Sequence, residues 1–597
     1  MSTVMGGTVA RGRLALRVAL TDGAVLGGLA ALCALLAVLT WRTWGDPGSD
    51  TGYDFVASSR FADGEIPYQD FPYFYGPLAP AVGALAVLLG GDDIAAFTGL
   101  GLVIAVAIVG LTYAVARLLV GPPAAGAAAA ITAAVAFAPT NFSFVLPHTY
   151  SATLGLLGAL VVVLGLGRAT LGGGRAWMWT AGAGAAVTAL ARPEFALAVW
   201  LAGAAWVAVS ARVRAVTRRD LAALLIPAAG IPLAVYGGFA AATSPGALLF
   251  DNLYPRDQLE AGAGDVLSTS APMTAGSFAE LAGRLAVYAV GIAALILVAR
   301  MIGSGGARRT AGLAIAGAAG LVALAALAAR PELVRHGLQY AYGWIPAGAA
   351  LAVGILVWRN RARRDGWDPA ARLELLLAVL VAVIAARSYA AFFAHSTVPQ
   401  QAAYAIPFAA ILLAWLHGRE LGDAPAVRRI GVAVLAFLAL AGVVLAASDA
   451  RDQSGLVRGP GGTLAERPLT AAAYQGALDH ILRATEPGDP VLLAPQLTSL
   501  YTLSGRTDPL PQISLLPGSL PGPADEREAI RRLDAAGVDL VVVNTRALTE
   551  YGQGAFGTTF YLGLQEWLER DFTRVASLGT DGETTVALDV WQRSNPS

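Results

Sequence analysis

The residues best suited to chemistry stand in one segment, DTGYDFVASSRFADGEIPYQDFPYFYGPLAP, which covers positions 50–80. Asp50, Asp54 and Asp70 stand in it among aromatic residues. If residues 53–62 form a helix, Asp50 and Asp54 fall four positions apart on one face of its N-terminal turn. Two carboxylates so placed could act as a general base on an acceptor hydroxyl or hold a divalent cation. A solvated acidic loop that caps a helix is the alternative.

The composition predicts a protein that is largely exposed to lipid. Of 597 residues, 56% are hydrophobic and 14% are charged, against about 25% charged in ordinary soluble domains. The 41 basic residues, all arginine, balance 41 acidic residues, so the net charge does not indicate a nucleic-acid partner. The single cysteine, Cys33, excludes zinc binding or catalysis by paired cysteines.

Thirteen apolar segments are candidates for membrane-spanning helices, which need about 20 apolar residues each. They cover approximately residues 23–41, 95–119, 123–139, 148–167, 176–191, 194–210, 221–242, 282–302, 309–329, 339–358, 370–390, 399–417 and 427–447. We therefore expect a polytopic α-helical membrane domain over residues 1–447, with a first external loop at 42–94.

The arginines predict the orientation, since short cytoplasmic loops hold the excess of positive charge. A cytoplasmic N-terminus places Arg212, Arg214, Arg308, Arg309 and residues 359–364 in the cytoplasm. Thirteen crossings then place residues 448–597 outside the cell membrane, as a linker near 451–468 and a small extracytoplasmic α/β domain. Its strands are expected at 491–494, 540–544 and 585–590, and its helices at 524–536 and 562–570.

The first loop resembles that of the C-type (GT-C) glycosyltransferase superfamily, in particular the bacterial relatives of dolichyl-phosphate-mannose protein mannosyltransferases. In that family an acidic residue with a nearby Tyr is followed by G-E-x-P-Y-x-D-F and G-P. The matching positions are Asp50, Tyr53, Gly64, Glu65, Pro67, Tyr68, Asp70, Phe71, Gly76 and Pro77. The sequence departs from the family at Thr51, where many relatives carry Glu; Asp54 is the candidate substitute.

The resemblance implies a GT-C-like fold and transfer of a hexosyl or pentosyl group, with inversion, from a polyprenyl-phosphate-linked sugar. It also implies that Asp50 is the base that deprotonates a glycan, lipid or protein acceptor, while Tyr68 and Asp70 contact substrate. A divalent cation is the candidate cofactor.

A phosphate leaving group is best stabilised by cations and fixed hydrogen-bond donors near the membrane surface. Arg192 and Glu194 lie in a short turn, where they could instead pair with each other. His148 and Tyr150 begin the fourth apolar segment, where a local hydrogen-bonding role is the alternative. Further candidates for substrate binding are Tyr254 and Arg256 in the motif DNLYPRD, together with Arg335, Arg387 and His395.

Two other functions remain open at this point. A transporter or flippase of lipid-linked saccharides would place ionisable groups near the middle of its spans and often show an internal repeat. The sequence shows no such repeat, and its ionisable residues cluster at one face. A noncatalytic envelope scaffold is the other function, and it would not explain the acidic first loop.

Overall fold

The computed structural model describes the chain except residues 1, 49–50, 141, 264–274, 342–343, 362–366, 387–402, 421–424, 580–585 and 595–597. Among the described residues, sixteen α-helices of eleven residues or more lie between Ser2 and Asp452. They are α1 (Ser2–Leu39), α2 (Thr51–Ala62), α3 (Leu78–Gly90), α4 (Ile94–Ala116), α5 (Pro122–Ala136), α6 (Tyr150–Thr170), α7 (Ala176–Ala191), α8 (Pro193–Arg212), α9 (Arg218–Ala242), α10 (Ala275–Gly303), α11 (Gly306–Ala329), α12 (Pro331–Ala341), α13 (Trp344–Asn360), α14 (Pro369–Ile384), α15 (Ile406–Glu420) and α16 (Pro425–Asp452).

Each of the thirteen predicted apolar segments overlaps, in its described part, with one of these helices. Eight described helices are long and apolar enough to cross a membrane: α1 from Leu20 onward, α4, α6, α8, α9, α10, α11 and α16. The other five are shorter, at 15 to 17 residues. One cause is visible between α7 and α8, where Pro193 follows Arg192 and keeps that residue extended, at φ −154° and ψ 123°.

Small residues bring the helices close together. An added Cβ at Gly158 of α6 would lie 2.8 Å from the backbone oxygen of Gly184 of α7, and the reverse also holds. An added Cβ at Gly83 of α3 would lie 2.0 Å from the hydroxyl of Ser58 of α2. Close approach increases van der Waals contact between the helices. This contact matters in lipid because the hydrophobic effect does not drive helices together there.

In the described residues after α16 there are six strands and four α-helices. The strands are β1 (Gly455–Gly459), β2 (Gly462–Glu466), β3 (Leu492–Ala494), β4 (Leu540–Asn544), β5 (Phe572–Leu578) and β6 (Leu588–Arg593), and the helices are α17 (Pro468–Ala484), α18 (Ser499–Ser504), α19 (Pro523–Ala536) and α20 (Leu562–Asp571). One sheet has the order β3-β4-β6-β5, with β3 and β4 parallel and the other pairs antiparallel. β1 and β2 form an antiparallel hairpin where the sequence suggested a linker.

Backbone contacts hold this C-terminal part against the first loop and α4. The amide of Ala465 in β2 donates to the carbonyl of Arg42 over 2.8 Å, and the amide of Ile94 donates to the carbonyl of Gly461 over 2.8 Å. An added Cβ at Gly52 of α2 would lie 2.0 Å from the backbone nitrogen of Ser499, so α2 and α18 touch through their backbones. The first loop is therefore packed between the membrane helices and the C-terminal domain.

Candidate active site

A cavity of about 1570 Å³ lies between the membrane helices and the β1–β2 hairpin. Its walls are apolar and come from α5, α10, α13, α15 and α16, through residues such as Ile131, Ile292, Ile345 and Leu438. Its charged lining comes from the first loop, α12, the end of α16 and the point where β2 leads into α17. These charged residues are Asp46, Arg335, Asp449, Asp452, Glu466 and Arg467. The cavity thus combines a long apolar surface with charged groups of both signs.

The predicted substrate-binding residue Arg335 lines this cavity. Its guanidinium donates from Nη1 to Oδ2 of Asp449 over 2.8 Å, and from Nη2 to Oδ1 of the same carboxylate. Nε also pairs with Glu332 at 3.0 Å. The guanidinium is thus fixed in orientation on α12 while it remains part of the cavity lining.

Asp46 brings the first loop to the same cavity. Its Oδ1 accepts a hydrogen bond from the amide of Gly48 at 2.7 Å, and its carbonyl accepts one from the hydroxyl of Ser499 at 2.8 Å. Burial raises the pKa of Glu466 to about 7, and the negative charge of Asp46 adds to the rise. Two carboxylates that influence each other therefore lie beside Arg467 in the cavity lining.

Three predicted residues lie outside the described part of the chain: Asp50, which is the predicted base, Arg387 and His395. Their roles stay predictions. In the sequence, Asp50 stands between Asp46, which lines the cavity, and α2, which begins at Thr51.

Asp54 is 1% exposed, and both of its oxygens accept hydrogen bonds. Tyr73 donates its hydroxyl to Oδ1 at 2.6 Å, while Thr149 and the amide of Tyr150 donate to Oδ2 at 2.9 and 2.5 Å. Asp54 therefore caps the N-terminus of α6 from a neighbouring helix. These contacts favour a structural role; the catalytic role predicted for Asp54 stays a prediction.

Arg192 lies in a buried aromatic corner. Its side chain pairs with Glu194 at 3.3 Å and lies over the ring of Tyr75, 5.0 Å from its centroid. Arg192 is 7% exposed, and its Nη1 has no hydrogen-bond partner among the described residues. The hydroxyl of Tyr404 likewise has none there. The pairing of Arg192 with Glu194 left open by the sequence is present, and it leaves one end of the guanidinium uncompensated.

His148 connects this corner to the cavity. Its ring stacks on Phe142, which lines the cavity, with centroids 5.4 Å apart. It also contacts Tyr75 edge to face at 6.3 Å. Ala403, the neighbour of Tyr404, lines the cavity as well.

The remaining predicted residues lie elsewhere. Tyr68 and Tyr150 are buried and donate their hydroxyls to the carbonyls of Tyr75 and Phe97, at 2.5 and 2.7 Å. Asp70 accepts the amide of Ile66 at 2.7 Å within a turn. Tyr254 is exposed, and the guanidinium of Arg256 lies over Phe250. The structure thus does not bring these five residues together with Arg335.

Five charged residues of the cavity were not singled out in the sequence: Asp46, Asp449, Asp452, Glu466 and Arg467. They come from three separate parts of the chain, and only the fold joins them. Across the described residues, no group of three or more His, Cys, Asp or Glu side chains could hold a metal ion.

Comparison with solved structures identifies the fold. ArnT from Cupriavidus metallidurans bound to undecaprenyl phosphate matches with a TM-score of 0.53 and 13% identity, over 95% of this chain and 98% of that chain. ArnT in the apo state matches at 0.49 and 14%, over 94% and 98%. The apo oligosaccharyltransferase of Archaeoglobus fulgidus matches at 0.45 and 14%, over 88% and 70%.

No protein-family model and no curated protein matches the sequence. The first of these structures aligns with nearly all of the chain and shares its fold. The chain is a multi-pass membrane protein with the C-type glycosyltransferase fold that its first-loop motif predicted.

Proposed function

We propose that the chain is a membrane glycosyltransferase that moves a hexosyl or pentosyl group from a polyprenyl-phosphate donor to a glycan, lipid or protein acceptor of the cell envelope. The observation that carries this proposal is the cavity of about 1570 Å³, in which apolar helix faces meet Arg335, Arg467 and the first-loop residue Asp46. A lipid-linked sugar has the same two parts, a long apolar chain and an anionic phosphate. The ArnT structure with undecaprenyl phosphate supports such a donor.

The apolar walls would hold the prenyl chain, and the arginines would bind the phosphate. Arginine suits this task because its planar guanidinium stays charged and donates several hydrogen bonds. Asp449 already orients the Arg335 guanidinium by two hydrogen bonds. The second cationic group, Arg467, is exposed and lies between β2 and α17, where the C-terminal domain lines the cavity.

For the transfer itself we retain Asp50 as the base. Its carboxylate would take the proton of the acceptor hydroxyl as the oxygen attacks the anomeric carbon. The bond from that carbon to the phosphate oxygen breaks, and its electron pair stays on the phosphate, near the arginines. Attack opposite the leaving group inverts the configuration.

A divalent cation remains a candidate cofactor, although Asp54 does not fit as its ligand, since both Asp54 oxygens already accept hydrogen bonds. The proposal keeps the predicted orientation, with a cytoplasmic N-terminus and residues 448–597 as a linker and domain outside the membrane. The reaction would then take place on the extracytoplasmic face.

The test is to supply the purified chain with a panel of polyprenyl-phosphate sugars and to measure which one is consumed. Asp50→Asn should abolish transfer while insertion and abundance stay unchanged. Arg467→Ala should weaken donor binding. Arg458→Ala, at an exposed arginine of β1 that is not part of the cavity lining, should not. Transfer by the Asp50→Asn variant would contradict its assignment as base. Consumption of no donor, together with movement of a lipid-linked glycan across proteoliposomes, would favour the transporter.

A further inference from the structure

A second cavity of about 540 Å³ lies where three parts of the chain meet; we call it the junction groove. Its first wall is the part of the first loop that includes Tyr53 of α2, residues 68–72 and Phe74. The second is the segment 247–258 that follows α9, and the third is part of residues 511–532 of the C-terminal domain. The groove shares none of its lining residues with the larger cavity.

Hydrogen bonds join each wall to the other two. The amide of Tyr73 donates to Oδ1 of Asn252 at 2.9 Å, which joins the first loop to segment 247–258. Gln258 donates to the hydroxyl of Ser519 at 2.9 Å, which joins that segment to the C-terminal domain. Arg60 of α2 donates to the carbonyl of Pro511 at 3.2 Å, which joins the first loop to the C-terminal domain. The groove is therefore preformed, which lowers the entropy cost of binding a ligand.

The lining offers polar groups that the protein does not use itself. Gln69, Asp251, Asp257 and Gln512 line the groove, and among the described residues their side chains have no hydrogen-bond or ion-pair partner. Amides both donate and accept, and carboxylates accept. Such side chains, arriving from all three walls, suit a ligand that carries many hydroxyl groups.

Aromatic rings lie among these polar groups. Tyr53 and Phe74 both line the groove and stack on each other, with centroids 5.9 Å apart. Phe250 lines it from the second wall and remains partly exposed. Flat apolar rings beside hydrogen-bonding groups match the two surfaces of a sugar ring, whose C–H face is apolar and whose edge is polar.

The charge of the groove restricts the saccharide. Asp70, Asp251 and Asp257 supply three carboxylates, while Arg532 is the one basic residue among the described residues of the lining. Arg532 is itself paired with Glu528 at 2.8 Å. The exposed guanidinium of Arg256 lies beside the lining, over the ring of Phe250. The three carboxylates therefore outnumber the two arginines, one of which is already paired, so an anionic saccharide would meet net repulsion.

We propose that the junction groove binds a neutral saccharide chain, and that this chain is the acceptor. The second clause rests on the proposed glycosyltransferase function. The first loop lines both spaces, the larger cavity through Asp46 and the groove through Tyr53. The C-terminal domain, through Gln512, takes part in choosing the acceptor.

The test measures binding to the detergent-solubilised full chain by saturation-transfer NMR and calorimetry. The probes are neutral hexasaccharides of glucan, mannan, galactan and arabinan type, each at millimolar concentration, and an oligogalacturonate as the anionic counterpart. At least one neutral probe should bind, and more tightly than the oligogalacturonate. Asp251→Asn combined with Asp257→Asn, and separately Phe250→Ala, should weaken that binding about tenfold, or about 1.4 kcal/mol. Glu566→Gln, an exposed carboxylate outside the groove, is the matched control and should bind as the unaltered chain does.

Binding of undecaprenyl phosphate, measured on the same variants, should stay unchanged and shows that the chain is folded. Binding of no neutral probe by the unaltered chain overturns the proposal, as does binding that the groove variants leave intact. Lost saccharide binding with undiminished transfer refutes the acceptor role and leaves a saccharide site. Saccharide binding at the groove in a chain that consumes no donor sugar refutes the proposed function instead.

Discussion

Arg335 and Asp449 form a bidentate ion pair that joins α12 to α16 in the lining of the larger cavity. The carboxylate holds the guanidinium in place, yet it also occupies two of the donors that a phosphate would need. The ion pair therefore orients the Arg335 guanidinium but leaves fewer of its donors available to a phosphate. A phosphate must compete with Asp449 to use Arg335 fully.

We predict opposite effects from the two partners on the binding of undecaprenyl phosphate. Arg335→Ala removes a charged donor, worth about 1.5–3 kcal/mol, and should weaken binding about tenfold or more. Asp449→Asn should strengthen binding, because it removes a negative charge beside the phosphate. Titration calorimetry in detergent measures both affinities. The control is Glu332→Gln, which removes the other ion-pair partner of Arg335 at a residue that is not part of the cavity lining. Weaker binding in both cavity variants would show that orientation outweighs competition.

Glu466 should make stability depend on pH. Its pKa in the folded chain is about 7, above the ordinary value of 4.5, because of burial and the charge of Asp46. Between these two values the folded chain keeps a proton that the unfolded chain has lost. The free energy of unfolding therefore falls as pH rises through this window.

The measurement is thermal unfolding of the unaltered chain and of Glu466→Gln at several pH values. The difference between the unfolding temperatures of the unaltered chain and the variant should decrease as the pH rises from 4.5 to 7. Above pH 7 it should stay constant. Asp46→Asn should lower the pKa of Glu466 and narrow the window. A difference between the two chains that does not change with pH would contradict the prediction.

Asp54→Asn should act mainly on stability. Asn has one acceptor oxygen where Asp54 serves three donors, so buried groups are left unpaired at about 1–3 kcal/mol each. Tyr73→Phe removes one of these donors and should cost less. Thermal unfolding compares the two variants, and transfer is measured well below their midpoints. If Asp54→Asn unfolds like the unaltered chain but transfers no sugar, the catalytic role predicted from the sequence is correct.

Gly52→Ala should loosen the C-terminal domain from the first loop. The added methyl would lie 2.0 Å from the nitrogen of Ser499 and 2.3 Å from the carbonyl carbon of Thr498, and backbone atoms cannot move aside as a flexible side chain does. Hydrogen exchange should rise in α2 and α18. Gly110→Ala, which meets open space in α4, should be neutral or stabilise by up to about 1 kcal/mol. Unchanged exchange in Gly52→Ala would show that the contact tolerates a shift.

The membrane fold was predictable because each span carries its own signal, a long run without charge. The short helices α3 and α12 were not identified, since neither is long enough to form such a run. The β1–β2 hairpin was interpreted as a linker because its glycines, such as Gly459 and Gly462, resemble those of an irregular segment. Strand β5 is largely exposed and has little apolar pattern to detect.

The candidate site was only partly predictable for a different reason. Arg335 stood out as a charge among apolar segments, whereas Asp46 and Glu466 are 420 positions apart and become neighbours only when the hairpin docks on the first loop. Asp54 fitted a catalytic spacing, yet its three donors come from residues 73, 149 and 150, which the spacing cannot reveal. Local sequence patterns indicated which residue types could act on a substrate. Which of them line the same cavity depends on contacts between distant parts of the chain.

The C-terminal domain supplies walls to both spaces, through Glu466 and Arg467 on one side and through Gln512 and Ser519 on the other. A chimera that received this domain from a relative would therefore inherit altered surroundings for both ligands in a single exchange. Truncation after α16 would leave two half-built pockets, so loss of activity in such a fragment would not reveal which ligand it had ceased to hold. Single substitutions on either side are what separate the two.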